Sequence, residues 1–250
     1  MRLLLVNDDG IHAEGIHVLA KELEKDHDIT IVAPDDQRSA QSHAITLSKP
    51  LIVKEVELEG IKSKAYSVSG TPVDCVRVAL DKLIDGPVDM VLSGINMGLN
   101  VGMDVLYSGT VSAAIEANMY KIPSMALSAE LIDGKVDYRL TAEYGKYILE
   151  KSKGDFVKNN IILSINTPYL KEEDVKGIKV CKIGGVIYDY YLMEDYGGNG
   201  DKILKVKGRR REGLEGDTDR YYLSQGYVTI TPLHYDLTNF DLLNEVEGWI

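Results

Sequence analysis

The order of apolar runs and helical segments restricts the fold of this chain more than any other feature. Residues 2–6 form a compact apolar run, and residues 15–23 carry apolar side chains at helical spacing. Residues 28–33 form a second buried-looking strand, which ends at Pro34-Asp35-Asp36. A strand, a helix and a strand in this order predict a βαβ unit, and such a unit requires a parallel sheet with a right-handed crossover.

The same alternation continues through the next part of the chain. The pattern predicts strands at 51–58, 65–68, 88–92, 124–127 and 161–165, with helices at 71–83, 111–119 and 139–150. The fold class that follows is α/β, with a Rossmann-like, doubly wound and mostly parallel sheet.

The C-terminal part has a different pattern. Residues 180–206 show tyrosine-rich alternation broken by paired glycines, which predicts a β-hairpin arm. Residues 227–230 return as a strand, and residues 242–249 have the pattern of an amphipathic terminal helix. We expect a single domain over residues 1–250, in which about 180–250 includes an oligomerisation arm and a C-terminal tail.

Charge excludes one class of partner. The formal net charge of −11 opposes binding to nucleic acid, which depends on clustered Lys and Arg. A basic cluster occurs at residues 207–211, but Glu212 and Glu215 interrupt it, so we interpret it as a solvated loop.

Composition also limits the cellular context. No stretch of ~18 apolar residues occurs, and two aspartates end the first apolar run, so we expect no membrane contact and a cytoplasmic location. Cys75 and Cys181 lie far apart and outside any CxxC arrangement. This spacing argues against a disulfide framework or a thiolate zinc site and predicts two buried free thiols.

Two adjacent carboxylates follow the first predicted strand, in the segment Asn7-Asp8-Asp9-Gly10. The carboxyl ends of parallel strands build the ligand crevice of open α/β folds, so a ligand is expected here. Adjacent carboxylates repel each other unless a cation lies between them, and Mg²⁺ or Mn²⁺ prefers such oxygen ligands. The dipeptide alone leaves a second interpretation open, in which one aspartate caps the following helix and the other is solvated.

Ser39 follows the second predicted strand, so its hydroxyl is placed to reach the same cation. A serine in such a loop is also typical of a turn or a helix cap. The neighbouring Arg38 has a planar fork that suits phosphate, although exposure to solvent fits it equally well.

Of these features, the glycine-rich segment at residues 93–102 is the most specific indication of a phosphate or metal site. Asn96 offers a neutral oxygen to a metal, and Ser108-Gly109-Thr110 immediately precedes a predicted helix whose N-terminus presents free N–H groups to an anion. Long loops of this kind in compact domains are usually functional. We therefore predict a phosphate or metal role here, against the alternative of a structural glycine loop.

Other nucleotide-binding signatures are missing. The segment Gly10 to Gly15 reads GIHAEG and lacks GxGxxG, and the sequence contains no GxxxxGK[ST]. Nicotinamide enzymes and P-loop enzymes are therefore disfavoured, whereas an enzyme that forms an aspartyl phosphate stays open.

Five motifs occur together in this order: VNDDG at 6–10, APDDQRS at 33–39, SGTPVDC at 69–75, SGIN at 93–96 and YSGTV at 107–111. They resemble the SurE family of survival-protein phosphatases, and the resemblance covers most of residues 1–130. The segment YVTITPL at 227–233 is similar to the C-terminal part of that family. The family commonly has glycine after the metal-site serine, where this chain has Ala40.

The resemblance implies one divalent cation, Mg²⁺ or Mn²⁺, bound by Asp8, Asp9, Ser39 and Asn96. It implies hydrolysis of nucleoside 5′-monophosphates and 3′-monophosphates, and in some members of short polyphosphate. It also implies homodimers or homotetramers that exchange C-terminal segments.

We expect metal-assisted attack of water on phosphorus, with Asp8 or Asp9 as the catalytic residue that positions or deprotonates the water. The phosphate would be held by the following residues: Asn96, Ser108, Gly109 and Thr110. A rival hypothesis is a regulatory module that binds nucleotide without turnover.

Overall fold

The computed structural model describes residues 1–186, 190–196, 199–208 and 214–250. Its strands, in chain order, are β1 (Arg2–Val6), β2 (Asp28–Pro34), β3 (Val53–Val56), β4 (Lys64–Val68), β5 (Met90–Met97), β6 (Ser124–Ala129), β7 (Ile162–Thr167), β8 (Ile178–Val180), β9 (Tyr190–Tyr196), β10 (Lys202–Gly208) and β11 (Val228–Leu233). Its helices are α1 (Glu14–Leu23), α2 (Pro72–Val78), α3 (Gly109–Met119), α4 (Tyr138–Asn159), α5 (Asp219–Ser224) and α6 (Leu243–Glu247).

A mixed sheet of nine strands forms the centre, in the order β3-β4-β2-β1-β5-β6-β7-β11-β8. The strands from β4 to β7 in this order are mutually parallel, whereas β3 and β11 run antiparallel to β4 and β7. The predicted α/β class with a mostly parallel sheet is confirmed.

Alternate residues of β1 bury against the two opposite faces of the sheet, as the period of a strand requires. Leu3 and Leu5 pack in the core cluster that contains residues of α1 and α4. Leu4 and Val6 pack in a second cluster with residues of α2 and α3, such as Val76 and Ala113. Helices therefore cover both faces, and the carboxyl ends of β1, β2 and β5 meet at one edge.

The structure departs from the sequence prediction mainly at element ends. β5 continues to Met97, where we predicted that the strand ends at residue 92. The predicted strand at 51–58 is reduced to β3, and the helix predicted over 71–83 is α2 followed by a π-helical segment, Ala79–Leu83. α4 is longer than predicted and runs to Asn159.

The predicted hairpin in the C-terminal arm is present, because β9 and β10 pair antiparallel in a sheet of their own. Much of the basic cluster predicted as a solvated loop lies outside the described residues. A short 3-10 turn, Phe240–Leu242, precedes α6 in the tail. In the described part of the chain, no helix combines the length and the apolarity that crossing a bilayer requires.

Both cysteines are free, as predicted. Cys75 is fully buried, but Cys181 is only partly buried, so the prediction of two buried thiols is wrong for Cys181. Cys181 lies just after the edge strand β8, where the sheet ends and covers only part of its side chain.

Candidate metal and phosphate site

The segment after β1 is a tight turn closed by the side chain of Asn7. The Asn7 amide donates to the Gly10 carbonyl over 2.9 Å, and the Gly10 N–H donates to Asn7 Oδ1 over 3.2 Å. Gly10 has a φ of 101°, a conformation that glycine adopts without steric cost. The turn leaves Asp8 buried, with 4% exposure, and Asp9 half-buried at the crevice.

Asp8 contacts the start of α3. The Thr110 hydroxyl donates to Asp8 Oδ1 over 2.5 Å. Burial raises the pKa of Asp8 to about 6; the Thr110 hydroxyl opposes this shift, and the charge of Asp9 adds to it. A divalent cation favours the ionised form of both aspartates, so it would relieve the cost that burial and mutual repulsion impose.

Asp9 joins the end of β1 to the end of β5. Its Oδ2 accepts the Met97 N–H over 2.9 Å, and its Oδ1 accepts from Gln37 Nε2 over 3.3 Å. Burial raises the pKa of Asp9, while these two hydrogen bonds lower it. Because Met97 follows Asn96, the bond to Met97 brings two of the predicted metal ligands to the same edge of the sheet.

Ser39 lies on the loop after β2, and the backbone attaches this loop to Asp8. The Arg38 N–H donates to the Asp8 carbonyl over 2.7 Å, so Ser39 follows a residue bound directly to the Asp8 backbone. The Ser39 side chain is exposed. Arg38 pairs with Asp35 over 2.8 Å, so its guanidinium already has an anionic partner.

Ala40 has a φ of 55°, in the left-handed region that favours glycine. This is the position where the family pattern commonly has glycine. Ala40 therefore adopts a backbone conformation that glycine adopts more readily.

Asn96 lies in the extension of β5 and not in a loop, which corrects the sequence prediction. The register between β5 and β6 shifts between Ser93 and Asn96. A Cβ at Gly94 would lie 2.3 Å from the Leu127 carbonyl oxygen, so only glycine fits this approach. The Asn96 amide nitrogen donates to the Gly98 carbonyl over 2.7 Å, which leaves the side-chain oxygen as its donor atom for a metal.

The predicted phosphate segment forms the start of α3, and all three of its residues are buried. Ser108 is the N-cap, because its Oγ accepts the Val111 N–H over 3.1 Å. Gly109 packs against Asp8: an added Cβ would lie 2.9 Å from Asp8 Cβ. The Thr110 hydroxyl already donates to Asp8, so any contact of Thr110 with phosphate would use the backbone N–H of Thr110.

The donor set suits a hard divalent cation. Two carboxylates, an amide oxygen and a hydroxyl are the oxygen ligands that Mg²⁺ and Mn²⁺ prefer. Within the described residues neither Asp8 nor Asp9 forms an ion pair with a lysine or arginine, so their charge is available to a cation. In the same residues no group of three or more His, Cys, Asp or Glu side chains is placed to hold a metal.

A family model described as Survival protein SurE matches residues 3–189. This chain belongs to the SurE family. A 5'-nucleotidase SurE from Clostridium botulinum (strain 657 / Type Ba4) is 54% identical over 248 residues, which is 99% of this chain and 98% of that protein. A 5'-nucleotidase SurE from Clostridium tetani (strain Massachusetts / E88) is 50% identical over 249 residues, covering 100% of both chains.

A crystal structure of the SurE protein from Aquifex aeolicus shares the fold. Its TM-score to this chain is 0.86 at 32% sequence identity, and the match covers 100% of this chain and 99% of that one. The resemblance predicted from the five motifs is therefore confirmed as membership of the SurE family over the whole fold.

In this SurE chain the loop after β2 is held by α2 and α3 through contacts that the sequence analysis missed. Thr46 donates its N–H and its hydroxyl to Asp74 of α2, over 3.1 and 2.7 Å. His43 Nε2 lies 2.6 Å from Glu116 of α3, whose other oxygen accepts from Arg77 over 2.8 Å. These contacts hold the loop that carries Ser39 against α2 and α3.

The motif at 69–75 contains the start of the helix that was predicted from residue 71. Thr71 and Asp74 form a reciprocal capping box, and Pro72 is the first residue of α2.

Tyr138, at the start of α4, is a further residue near Asp9 that sequence analysis missed. Burial raises the pKa of its phenol to about 12, and the charges of Asp9 and Glu14 add to this shift. The phenol therefore stays protonated and uncharged. A tyrosine at the start of a helix gives no pattern by which its position could be found from sequence.

Proposed function

We propose that this chain is a metal-dependent 5′-nucleotidase that hydrolyses nucleoside 5′-monophosphates, as the name of its relatives indicates. One observation carries the proposal: the Thr110 hydroxyl at the N-terminus of α3 donates to Asp8, one of two adjacent carboxylates at the end of β1. The carboxylates at the end of β1, which suit a cation, are therefore in contact with the N-terminus of α3, which suits an anion. A phosphate monoester needs both.

The proposed ligands of one Mg²⁺ or Mn²⁺ are Asp8, Asp9, Ser39 and Asn96. When bound, the cation would polarise the phosphoryl group and lower the pKa of water. Asp8 or Asp9 would orient the attacking water and accept its proton. The N-terminus of α3 would hold the phosphate oxygens through backbone N–H groups and the Ser108 hydroxyl, since the partial positive charge of a helix N-terminus favours anions.

All of the contacts proposed above are to the phosphoryl group or the cation, and they do not depend on the sugar position. We therefore extend the proposal to nucleoside 3′-monophosphates and short polyphosphate, which present the same terminal phosphoryl group. A substrate panel with the metal-stripped enzyme would rank these compounds.

Phosphate release from AMP by the metal-stripped protein, with and without Mn²⁺ or Mg²⁺, tests the proposal. We expect no release in excess chelator and recovery on addition of either cation. Full activity with no bound metal would remove the metal from the mechanism. Binding of AMP without release would favour the regulatory module, and labelled protein trapped by acid quench would favour an aspartyl phosphate.

Two substitutions separate the metal ligands from the phosphate segment. Asp8→Ala removes a charged ligand, and we expect turnover to fall by orders of magnitude even at saturating Mn²⁺. Ser108→Ala removes one hydroxyl from a site that keeps its backbone donors, so the expected loss is on the order of 1 to 3 kcal/mol, partly as weaker competition by inorganic phosphate. Near-normal turnover of Asp8→Ala would exclude Asp8 as a ligand of the catalytic metal.

We also propose that the chain forms a homodimer or homotetramer through exchanged C-terminal segments. The tail carries large apolar side chains that this chain leaves exposed, among them Leu237, Phe240 and Trp249. Such a tail is stabilised only if another surface covers it. A second copy of this chain is the occupant we propose.

A further inference from the structure

Besides the bond from Met97 to Asp9, the glycine-rich segment between Asn96 and Gly102 has several attachments to the rest of the molecule. The Gly98 N–H donates to the Ala129 carbonyl over 2.9 Å. Asn166, at the end of β7 and 1% exposed, holds Asn100 from both sides: it accepts the Asn100 N–H over 2.9 Å and donates to the Asn100 carbonyl over 3.1 Å. These two attachments come from β6 and β7, the two strands that follow β5 in the sheet.

A further attachment is Asp219, which comes from a distant part of the chain. Asp219 is the first residue of α5 and is 1% exposed. Its Oδ2 accepts the Gly102 N–H over 2.7 Å, and its Oδ1 accepts the N–H groups of Gly184 and Arg220 over 3.0 and 2.7 Å. One buried carboxylate thus binds three backbone N–H groups, two of them on other segments.

Gly184 belongs to the segment that leads into the hairpin of β9 and β10. This segment touches the glycine-rich loop directly, because the Met103 N–H donates to the Gly185 carbonyl over 3.3 Å. A Cβ at Gly102 would lie only 2.4 Å from the Gly185 carbonyl oxygen, and Gly102 has a φ of 60°. The two backbones are therefore in van der Waals contact, with Asp219 bonded to both.

We propose that Asp219 is a positioning residue for the reaction, which fixes the loop after Asn96 and makes its geometry depend on the base of the hairpin arm. The inference rests on the proposed function. A charged acceptor suits this position because a carboxylate accepts from several N–H groups at once, and such charge-assisted bonds are stronger than neutral ones. An asparagine at position 219 keeps one acceptor oxygen. Its NH₂ group would face at least one backbone N–H, and two donors cannot form a hydrogen bond with each other.

The test compares Asp219→Asn with Asp201→Asn, which makes the same chemical change at an exposed position of the hairpin turn. Hydrogen exchange by mass spectrometry on the metal-free protein reports the attachment directly. In Asp219→Asn we expect exchange at residues 98–103 and 184–185 to rise about tenfold or more, with β1 and α3 unchanged. Asp201→Asn should match the wild type.

The second readout is the Mn²⁺ concentration for half-maximal phosphate release from AMP. Because the loop follows a proposed metal ligand, Asp219→Asn should raise this concentration by roughly tenfold or more, and excess Mn²⁺ should restore much of kcat while KM for AMP changes little. A loss of general stability would instead lower activity equally at all Mn²⁺ concentrations.

Gly184→Ala keeps the carboxylate and disturbs it from the hairpin side, since its Cβ would lie 3.3 Å from Asp219 Oδ1. We expect the same changes, several-fold in size. This variant decides the question if Asp219→Asn fails to fold. Unchanged exchange at 98–103 in the folded variants, or a uniform rise over the whole chain, would overturn the inference. If the wild type releases no phosphate, the proposed function fails while the exchange result still tests the attachment.

Discussion

Substitution of Gly109 by alanine is the most direct structural test of the contact between α3 and the aspartates. An alanine Cβ would lie 2.9 Å from Asp8 Cβ, 3.1 Å from Asp8 Oδ2 and 3.1 Å from Pro72 Cγ. Carbon atoms in ordinary contact are about 3.5 to 4.0 Å apart. Asp8 or the start of α3 must therefore move by roughly 0.6 to 1 Å, because neither Asp8 nor the proline ring has a flexible end that can swing away.

The size of the effect follows from this displacement. A misplacement of about 1 Å in catalytic geometry costs on the order of a hundredfold in rate. Excess volume in a packed site also costs about 1 to 3 kcal/mol of unfolding free energy. We expect kcat/KM of Gly109→Ala for AMP to fall by roughly ten- to a hundredfold, with a fall in Tm of several degrees.

Gly154→Ala is the matched control. Gly154 lies in α4, is exposed, and has no heavy atom within 4 Å of an added Cβ. Alanine should leave activity unchanged there and raise stability by up to about 1 kcal/mol through helix propensity. The assays are phosphate release at saturating Mn²⁺ and thermal unfolding followed by circular dichroism. A folded Gly109→Ala with wild-type kcat/KM would show that the position of Asp8 against α3 does not matter to the chemistry.

Two further predictions concern the ion cluster behind the site and the tail. Burial raises the pKa of Glu116, but the hydrogen bonds and charges of His43 and Arg77 outweigh burial and leave this pKa below its ordinary value of 4.5. The ion cluster therefore stabilises the fold above about pH 4.5. This contribution is lost as the pH falls through the lowered pKa of Glu116. Glu116→Gln should therefore lower the unfolding free energy by about 1 to 3 kcal/mol at pH 7, and the difference from the wild type should shrink toward pH 3; an equal difference at both pH values would contradict the assigned role. Deletion after Leu237 should weaken assembly, and a native mass of 27.7 kDa for the full chain at micromolar concentration would contradict the proposed oligomer.

Local pattern identified most of the sheet because its central strands, such as β1 and β6, bury their own apolar residues. The extension of β5 was missed for a physical reason. Gly94 and Asn96 lack the pattern of a strand, and the chain is extended there because β6 pairs with it and because the Met97 N–H reaches Asp9. Both contacts are long-range, so no window of neighbouring residues contains them.

Asp8, Asp9 and Ser39 were proposed as ligands from sequence because each follows a predicted strand, and Asn96 because it lies in a glycine-rich segment. Residues that hold those ligands were not found, because they belong to elements far away in the chain. Asp219 lies 117 residues from Gly102 in sequence, and Glu116 lies 73 residues from His43. In the sequence each of them is one acidic residue among many in an acidic chain.

The charges at the proposed site indicate the order in which the cation and the nucleotide bind. The chain has a net charge of −11, and the proposed substrate is itself an anion, so the long-range field opposes its approach. Asp8 and Asp9 add negative charge at the crevice, whereas the N-terminus of α3 offers the equivalent of about half a positive charge. Arg38 does not restore the balance, since it pairs with Asp35. By themselves, the two carboxylates therefore attract a cation and repel phosphate. Only with a divalent cation bound is the local charge near neutral, so that the N–H groups of α3 can hold the phosphate oxygens. We infer that the cation binds before the nucleotide.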